Sequence, residues 1–309
     1  MARRLFVVGG NGFLGSSVCR QAVSKGWEVT SISTSGRPFK TPRGHTPAWV
    51  SKSAIRSNAI GPLFGSLFEA LTLSNSNPLK GNDSHGSSSY QLLNHDSALL
   101  VLEAYRAALS SEAASSLSPP IPRTFVYISA EDIFRPLVPR GYIDTKRAAE
   151  RDIASVCTSD TPPFVRGLSI RPGLMYHPYF RPLTTPIATL LSLSSSVQRY
   201  ITSSTGGMIP VPSSILRSIS SVFSHSSFHG GELTPPSPLQ SIANALEIPP
   251  LHVDQVAKAI LLAITDTSDL NDEGRSPRHV LGVKEMVDLL ARDAAEETGA
   301  RGAGTTTIS

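Results

Sequence analysis

Two side chains in the middle of the sequence, Tyr142 and Lys146, have the types and the spacing that acid–base chemistry needs. They are four residues apart, so on a helix they share one face. A lysine ammonium beside a phenol favours the phenolate and lowers the phenol pKa, which would make Tyr142 a general acid or base near neutral pH. In a reduction, Tyr142 would protonate the oxygen that gains negative charge. The alternative is an amphipathic helix whose lysine lays its apolar stem along the surface.

A third polar group, Ser129, ends the apolar run Thr124–Ser129, thirteen residues before Tyr142. A hydroxyl at a strand end can hydrogen-bond a substrate oxygen and orient it. A serine at a strand end is also common in an ordinary turn, which is the alternative. With Ser129, Tyr142 and Lys146 as the candidate catalytic residues, the chemistry they favour is proton transfer to or from a carbonyl or hydroxyl oxygen.

A glycine cluster, Gly9–Gly15, follows the apolar run Leu5–Val8 and precedes a helix-compatible segment. Its spacing fits both G-x-G-x-x-G and G-x-x-G-x-x-G, in the strand–turn–helix context that dinucleotide binding requires. The helix N-terminus would offer free N–H groups and a positive dipole end to a pyrophosphate. A glycine-rich turn in an unrelated α/β protein is the alternative. The predicted cofactor contacts in this turn are Gly9, Gly10, Gly12, Phe13, Leu14 and Gly15.

Four further residues are predicted to contact such a cofactor. NAD sites usually place an acid after the second strand, but the segment Ser31–Arg37 has none. Ser33 would face the ribose and Arg37 would meet a 2′-phosphate, so NAD(P) is expected with NADP slightly favoured. Pro172 and Gly173 follow a strand-like run, where ligands of open α/β sheets bind, and would line the nicotinamide side. An ordinary strand-to-loop turn is the alternative for these two residues.

The composition excludes several other classes of protein. The chain has 309 residues, a net charge of +4 and two cysteines, and no apolar run long enough to span a membrane. We therefore expect a reducing compartment, no transmembrane span and, since a strand starts close to Met1, no cleavable leader. No histidine, cysteine and acid spacing suggests a metal site, and no nucleic-acid-binding module is visible. The basic stretch Arg37–Arg56 is either a solvated loop or a contact with phosphate or an anionic membrane, and the apolar segment Ile187–Leu193 adds to the membrane hypothesis.

The predicted elements alternate between strand and helix, which favours a doubly wound, mostly parallel, Rossmann-type α/β fold. We expect a nucleotide-binding core over residues 1–180 and a small C-terminal cap over 181–309, with a disordered tail from about residue 299. The Ser- and Pro-rich stretch Leu191–Pro238 is expected to be partly loop, with short helices near Ile187–Ile201 and Ile215–Phe223. The predicted strands are Leu5–Val8, Glu28–Ile32, Thr124–Ser129, Leu168–Ile170 and His279–Val283, and the predicted long helices are Phe13–Lys25, Asn94–Leu109, Tyr142–Val156, Val253–Ile264 and Lys284–Glu297.

One region does not fit a complete fold of this kind. After the second strand the chain should supply strands three and four, but the segments before Asn94 are short, helix-like or rich in Gly and Ser. We therefore expect strands three and four to be missing or distorted. Either a real deletion or a faulty gene model over residues 45–90 would explain this.

Taken together, the glycine turn, Ser129, Tyr142-x-x-x-Lys146 and the segment Arg171-Pro172-Gly173 resemble the short-chain dehydrogenase/reductase superfamily, and most of all its atypical branch. Within that branch, the chain is similar to fungal mitochondrial accessory proteins of coenzyme Q biosynthesis, which are related to the nucleotide-binding accessory subunit of respiratory complex I. The resemblance covers residues 1–40, 90–180 and, more weakly, 250–298.

Two functions follow from this resemblance. It implies a mitochondrial NAD(P)-binding protein, peripheral on the inner membrane and associated with a ubiquinone-synthesis complex, in which the nucleotide is mainly structural. The alternative is an active NAD(P)H-dependent reductase or dehydrogenase of a carbonyl or quinone-ring substrate that uses Ser129, Tyr142 and Lys146. Atypical members can bind nucleotide as structural subunits, so the resemblance leaves catalysis open.

Overall fold

The protein is described by a computed structural model that divides into two compact units, Met1–Gly65 with His252–Ser309, and Ser66–Leu251. The predicted boundary at residue 180 lies inside the second unit and stays a prediction. The structure describes residues 3–33, 38–48, 50, 90–114, 123–133, 138–159, 165–182, 184–205, 211–224, 238–266 and 279–303.

The described elements alternate between strands and helices, as the sequence predicts. In chain order they are β1 (Arg4–Val8), α1 (Phe13–Ser24), β2 (Glu28–Ile32), a π-helical turn (Gln91–Asp96), α2 (Ser97–Ala114), β3 (Arg123–Ile128), α3 (Arg140–Thr158), β4 (Val165–Ile170), β5 (Met175–Tyr176), α4 (Thr184–Thr205), α5 (Pro212–Ser224), α6 (Pro238–Glu247), β6 (Leu251–His252), α7 (Val253–Thr265), β7 (Val280–Leu281) and α8 (Val283–Ala303).

In the first unit, β1 and β2 form a parallel pair in which Arg4 lies opposite Glu28 and Val8 opposite Ile32. Helix α1 connects them and packs against α7, which in turn packs against α8. The buried face of α1 includes Leu14 and Val18, which are four residues apart and so lie on the same side of the helix. This β–α–β arrangement is the one that the glycine turn requires.

Polar contacts join α1 to the start of α7. The Asp254 carboxylate accepts hydrogen bonds from Ser17 Oγ and Arg20 Nη2, each at 2.5 Å. Partial burial alone would raise the pKa of Asp254, but the hydrogen bonds from Ser17 and Arg20 outweigh it, so the pKa lies below its ordinary value. His252 and Gln255 form a capping box at the N-terminus of α7. These contacts hold α1, the helix that directly follows the glycine turn, against α7.

In the second unit, β3 and β4 form a parallel pair, with Arg123 opposite Val165 and Ile128 opposite Ile170. Strand β4 is buried along its whole length, which is typical of a strand covered on both faces. Helix α3 buries Ile153 and Cys157 within a cluster of apolar residues. The buried members of that cluster are Leu102, Leu109, Tyr127, Ala149, Ile153, Cys157 and Val165.

Helices occupy more of the Ser- and Pro-rich stretch than the sequence predicts. The two helices expected near Ile187–Ile201 and Ile215–Phe223 are present as α4 and α5, both longer than predicted, and α6, which begins where the stretch ends, was not predicted. Both α5 and α6 begin at a proline, Pro212 and Pro238. Proline is favoured at the first position of a helix, so each of these prolines was a signal for the start of a helix. The high Ser and Pro content of the stretch indicated loop instead. No helix in the described part of the chain is long and apolar enough to cross a membrane.

Two further expectations concern regions at or beyond the described residues. Helix α8 continues to Ala303, a few residues past the expected start of the tail at about residue 299. The expected loss of strands three and four falls on residues 51–89, which lie outside the described residues. The described sheets are small, and small sheets are compatible with that expectation.

Candidate functional site

The glycine turn lies between β1 and α1. Gly9 adopts a positive φ of 86°, a conformation that side chains disfavour. Its N–H donates to the carbonyl of Ile32 at 2.8 Å, and the N–H of Gly12 donates back to the carbonyl of Gly9 at 2.8 Å. The chain therefore reverses direction tightly at the end of β1, as the spacing predicts.

Close packing explains two other glycines of the turn. A Cβ atom at Gly10 would lie 1.9 Å from Ser31 Oγ, and one at Gly15 would lie 2.2 Å from the carbonyl oxygen of Gly9. The contact at Gly15 is with backbone, which cannot rotate away. The turn therefore tolerates no side chain at Gly15, and helix α1 approaches β1 closely because none is present.

The N-terminus of α1 has the features of an anion-binding site. Gly12 occupies the N-cap position with no side-chain cap, and the first turn contains no acid. The N–H groups in the first turn of α1 and the positive end of the helix dipole would therefore be available to a phosphate. Phe13 is half-buried and Leu14 is buried, so Leu14 serves the packing of the helix.

Ser33, at the end of β2, lies beside this turn. Its Oγ accepts a hydrogen bond from Asn11 Nδ2 at 3.0 Å. The structure thus places Ser33 next to the glycine turn within the first unit. Arg37, predicted to meet a 2′-phosphate, lies outside the described residues.

The second unit contains the predicted catalytic residues. Tyr142 and Lys146 lie one turn apart on α3, and the Lys146 Nζ atom is 5.8 Å from the centroid of the Tyr142 ring. The same Nζ atom donates to the carbonyl of Ile128 at 2.7 Å and lies 4.9 Å from the Tyr127 ring centroid. Lys146 is thus held against the end of β3, between two aromatic rings.

The expected effect of Lys146 on Tyr142 is wrong. The pKa of Tyr142 is raised, chiefly because the phenol is buried and further because of its proximity to Tyr90, whose ring meets it edge to face at 5.9 Å. Burial also lowers the pKa of Lys146 to about 8, although Glu150 opposes that shift. Tyr142 is therefore a protonated phenol at neutral pH and a potential proton donor.

Ser129 lies directly after β3 and is buried. Its N–H donates to the carbonyl of Ile170 at 2.7 Å, which ties the ends of β3 and β4 together. Its Oγ atom has no hydrogen-bond partner among the residues that the structure describes. A buried hydroxyl without a partner costs free energy, so this atom is one that a ligand oxygen could satisfy.

Pro172 and Gly173 lie in the turn after β4, in the same unit as Ser129. Pro172 is buried and Gly173 is half-buried. The carbonyl of Pro172 accepts a hydrogen bond from the Glu131 N–H at 3.0 Å. The segments after β3 and β4 are therefore joined at the carboxyl ends of their strands, where a cofactor or substrate would bind.

The ion-pair network around the buried carboxylate of Glu150 was not predicted. Glu150 on α3 accepts hydrogen bonds from Arg147 Nη1 at 2.9 Å and from Arg171 Nε at 2.9 Å, and Arg171 Nη2 makes a second, short contact. The network links helix α3 to the residue before Pro172. Glu150 lies three residues after Arg147 on α3, and this spacing was the available signal for that pair.

The π-helical turn before α2 was also missed. The carbonyl of Asn94 accepts a hydrogen bond from the Tyr127 hydroxyl at 2.7 Å, and Asn94 Nδ2 donates to Thr145 Oγ1 at 3.3 Å. π-Helical turns are frequent at functional sites. The sequence indicates a helix from Asn94, but no local signal marks the irregular turn.

The chain matches no protein-family model. In sequence it is similar to MIOREX complex component 2 of Saccharomyces cerevisiae, with 28% identity over 212 residues that cover 57% of this chain and 74% of the relative. It is also similar to an uncharacterized chloroplastic protein of Arabidopsis thaliana, with 29% identity over 178 residues, 57% of this chain and 51% of the relative. The match therefore spans about half the length of the plant protein.

In structure the chain is similar to an oxidoreductase of the short-chain dehydrogenase/reductase family from Burkholderia thailandensis. The TM-score is 0.51 at 13% identity, over 92% of this chain and 91% of that one. At this identity the likeness establishes the fold. The chain thus resembles short-chain dehydrogenase/reductases in fold and a fungal protein in sequence, as its motifs predict.

Proposed function

We propose that this chain is an NAD(P)-binding protein of the short-chain dehydrogenase type that acts as a subunit of a mitochondrial assembly supporting ubiquinone synthesis. The nucleotide is mainly a structural ligand in this proposal. The observation that carries it is the geometry of the glycine turn, in which Gly9 has a positive φ and Gly15 packs directly on the backbone of Gly9. A turn of this shape before an uncapped helix suits a pyrophosphate.

The residues present are suitable for such a nucleotide. The glycine turn and the N-terminus of α1 would hold the phosphates, and Ser33 would face the ribose. When bound, the nicotinamide ring of NAD(P) supplies or accepts hydride. Pro172 and Gly173 are proposed to line the nicotinamide side, because they follow the carboxyl end of β4. The slight preference for NADP rests on Arg37 and on the lack of an acid after β2.

The surroundings of Lys146 are compatible with a structural role for the nucleotide. Its ammonium group is bonded to the carbonyl of Ile128 and lies over the Tyr142 ring. The pKa of Tyr142 is raised by burial, so its hydroxyl is not activated as a base. These features hold helix α3 against β3 and serve its packing whether or not chemistry occurs.

The proposed location and partners rest on similarity. The yeast relative is named as a component of a complex, which supports a role for this chain as a subunit. The link to mitochondria and to ubiquinone synthesis comes from the motifs Val8–Gly15 and Tyr127–Ala130, which resemble the fungal accessory proteins. A peripheral position on the inner membrane is part of the same proposal.

Calorimetric titration of the purified chain with NADPH and with NADH tests nucleotide binding. We expect saturable binding of both, with NADPH slightly tighter. Clearly tighter NADH binding would overturn the NADP preference alone. In cells that lack this protein, we expect a lower total ubiquinone content. Expression of the wild-type chain should restore it. Normal ubiquinone in those cells would overturn the assignment to ubiquinone synthesis.

A second candidate function is an active reductase of a carbonyl or quinone-ring substrate. The observation that favours it is the buried Ser129 Oγ, which has no partner among the described residues. Ser129 would bind the substrate oxygen, and Tyr142, protonated at neutral pH, would donate a proton to that oxygen. Lys146 would position the Tyr142 ring. The change Tyr142→Phe separates this candidate from the first.

A further inference from the structure

The π-helical turn before α2 lies along the face of α3 that carries Tyr142. At its start, the Tyr90 ring meets the Tyr142 ring edge to face at 5.9 Å. At its end, the His95 Nε2 atom lies 2.7 Å from Asp152 Oδ2 on α3. The side-chain amide of Asn94 donates to α3 between these two contacts. The turn is therefore attached to α3 at three places, and one of them is an ion pair.

His95 lies between two carboxylates. Its Nδ1 atom is 2.7 Å from Asp96 Oδ1, and its Nε2 atom is 2.7 Å from Asp152 Oδ2. The imidazole is only 12% exposed, whereas the two carboxylates are 50% and 53% exposed. A carboxylate oxygen only accepts hydrogen bonds, so both contacts form together only when both ring nitrogens carry a proton. The arrangement therefore suits the positively charged imidazolium.

Gln91 provides the neutral imidazole with a different partner. Its Nε2 atom lies 2.8 Å from His95 Nδ1 and 3.1 Å from Asp96 Oδ1. When Nδ1 has lost its proton, it can accept a hydrogen bond from this amide, and it no longer donates to Asp96. The loss of one proton thus exchanges one hydrogen bond for another and removes the positive charge that pairs with both aspartates.

Acidic groups face His95 from each element that packs against the turn. Asp96 belongs to the turn itself, Asp152 belongs to α3, and Glu103 of α2 lines the same shallow pocket as Asp152. Burial alone would lower the pKa of His95, but the hydrogen bonds and charges of Asp96 and Asp152 outweigh it, so the pKa is raised above 6.5. Once the imidazolium is lost, these carboxylates repel one another without a positive charge between them.

We propose that His95 is a pH-sensitive switch: its protonation holds the π-helical turn on α3 and over Tyr142, and its deprotonation releases the turn. Because Tyr90 moves with the turn, release uncovers the ring and hydroxyl of Tyr142. This inference rests on the second candidate function for the role of Tyr142, and it adds the regulation of that site. The switch itself belongs to the chain without nucleotide.

The direction of the pH dependence follows from the raised pKa of His95. Below about pH 6.5 the imidazole is protonated whether the turn is attached or released, so its contacts contribute fully. As the pH rises above 6.5 through the raised pKa, the released form loses its proton first, and the contribution is progressively lost. The turn is therefore held more tightly at pH 6 than at pH 8.

Hydrogen–deuterium exchange of the full chain, measured by mass spectrometry on residues 90–97, tests this inference. After correction for the intrinsic exchange rates, we expect the protection of this segment in the wild type to fall at least about threefold from pH 6 to pH 8. In His95→Gln the protection should be the same at both pH values. The matched control is His45→Gln, the same change at an exposed histidine of the first unit, which should keep the wild-type pH dependence.

A second pair of variants tests the attachment to α3. Asp152→Asn weakens the contact with His95, whereas Asp144→Asn changes another exposed acid of α3, which pairs with Arg140. We expect the protection of residues 90–97 at pH 6 to fall in Asp152→Asn and to keep the wild-type value in Asp144→Asn.

Nuclear magnetic resonance of the chain with isotope-labelled tyrosine tests the effect on Tyr142. Its ring signal is assigned by its loss in Tyr142→Phe. The pKa of Tyr142 is raised by burial, so its hydroxyl does not titrate between pH 6 and pH 8. We expect the ring signal to shift between these pH values in the wild type, because the Tyr90 ring moves away, and to stay in place in His95→Gln.

Several results would overturn the inference. If the protection of the turn in the wild type is the same at pH 6 and pH 8, or if His95→Gln keeps the wild-type pH dependence, His95 is not a switch. If Asp152→Asn keeps the wild-type protection at pH 6, the ion pair does not hold the turn on α3. If the turn is released while the Tyr142 signal stays in place, the turn does not cover Tyr142. Titration of the same samples with NADPH measures nucleotide binding separately, so failure of the proposed function is told apart from failure of the switch.

Discussion

The ammonium group of Lys146 lies 5.8 Å from the centre of the Tyr142 ring, and it is hydrogen-bonded to a backbone carbonyl at the end of β3. The pair that the sequence marks as catalytic is therefore also part of the packing between α3 and β3. Tyr142 is half-buried and protonated at neutral pH, and Lys146 is half-buried with a lowered pKa. The two proposed functions differ in what they require of this pair.

The change Tyr142→Phe removes the phenol hydroxyl and keeps the ring. If the nucleotide is structural, cells that carry this variant should contain wild-type amounts of ubiquinone, because the edge-to-face contact with Tyr90 needs only the ring. We expect that outcome, measured by ubiquinone extraction beside NADPH affinity. A loss of ubiquinone with unchanged NADPH affinity would instead favour the reductase, whose rate should fall about 10²- to 10⁴-fold without its acid.

The pKa of Lys146 predicts how stability changes with pH. Burial lowers this pKa from 10.5 to about 8, so above about pH 8 the folded chain releases a proton that the unfolded chain keeps. The unfolded state then binds more protons, and the free energy of unfolding rises with pH. Below about pH 8 both states are protonated, and the contribution is constant.

Lys146→Met removes this titration. We expect the free energy of unfolding of the wild type, measured in urea, to rise relative to that of Lys146→Met between about pH 8 and 10. Parallel curves for the two proteins over this range would show that Lys146 keeps its ordinary pKa.

The buried Glu150 should contribute far more to stability than an exposed acid on the same helix. Glu150→Gln removes the carboxylate shared by Arg147 and Arg171 and leaves Arg147 only its longer contact with Glu131, whereas Asp144→Asn affects the exposed pair with Arg140. Breaking a fully buried pair costs about 3–5 kcal/mol. Because both arginines keep some exposure, we expect about 2 kcal/mol for Glu150→Gln and about 0.5 kcal/mol or less for Asp144→Asn. Equal losses in urea unfolding would contradict the role given to this network.

Two glycine-to-alanine changes should act in opposite directions. At Gly15 the new Cβ would collide with the backbone of Gly9, so Gly15→Ala should lower the melting temperature. At Gly141 the nearest atom is Tyr90 Cδ2 at 3.8 Å, an ordinary contact, and the residue lies in the first turn of α3, so Gly141→Ala should gain about 0.5 kcal/mol or less from helix propensity. Thermal unfolding compares them, and a stabilised Gly15→Ala would mean that α1 does not approach the turn as closely as described.

The glycine turn and the main elements could be predicted because their signals are local. An apolar run, glycines at fixed spacing and a following helical segment are contiguous in sequence, and the structure places β1 and α1 within two residues of the predicted bounds. Helix α3 was predicted for the same reason. Its apolar and polar positions repeat at helical spacing.

The remaining features depend on contacts between distant residues. The pKa of Tyr142 depends on burial and on Tyr90, which is far away in sequence, so the nearby lysine gave the wrong sign. Glu150 and Arg171 meet only because β4 returns beside α3.

Titration of Gly12→Val with NADPH measures whether the nucleotide binds at the glycine turn. Gly12 has ordinary backbone angles, and its added Cβ would meet only the Gly9 carbonyl at 3.0 Å, so the fold should survive. A side chain there would stand at the helix N-terminus where the phosphates bind. We expect the wild type to bind NADPH, and Gly12→Val to lose at least about tenfold in affinity while keeping its secondary structure by circular dichroism. Unchanged NADPH affinity in Gly12→Val would contradict the assignment of this turn as the cofactor site.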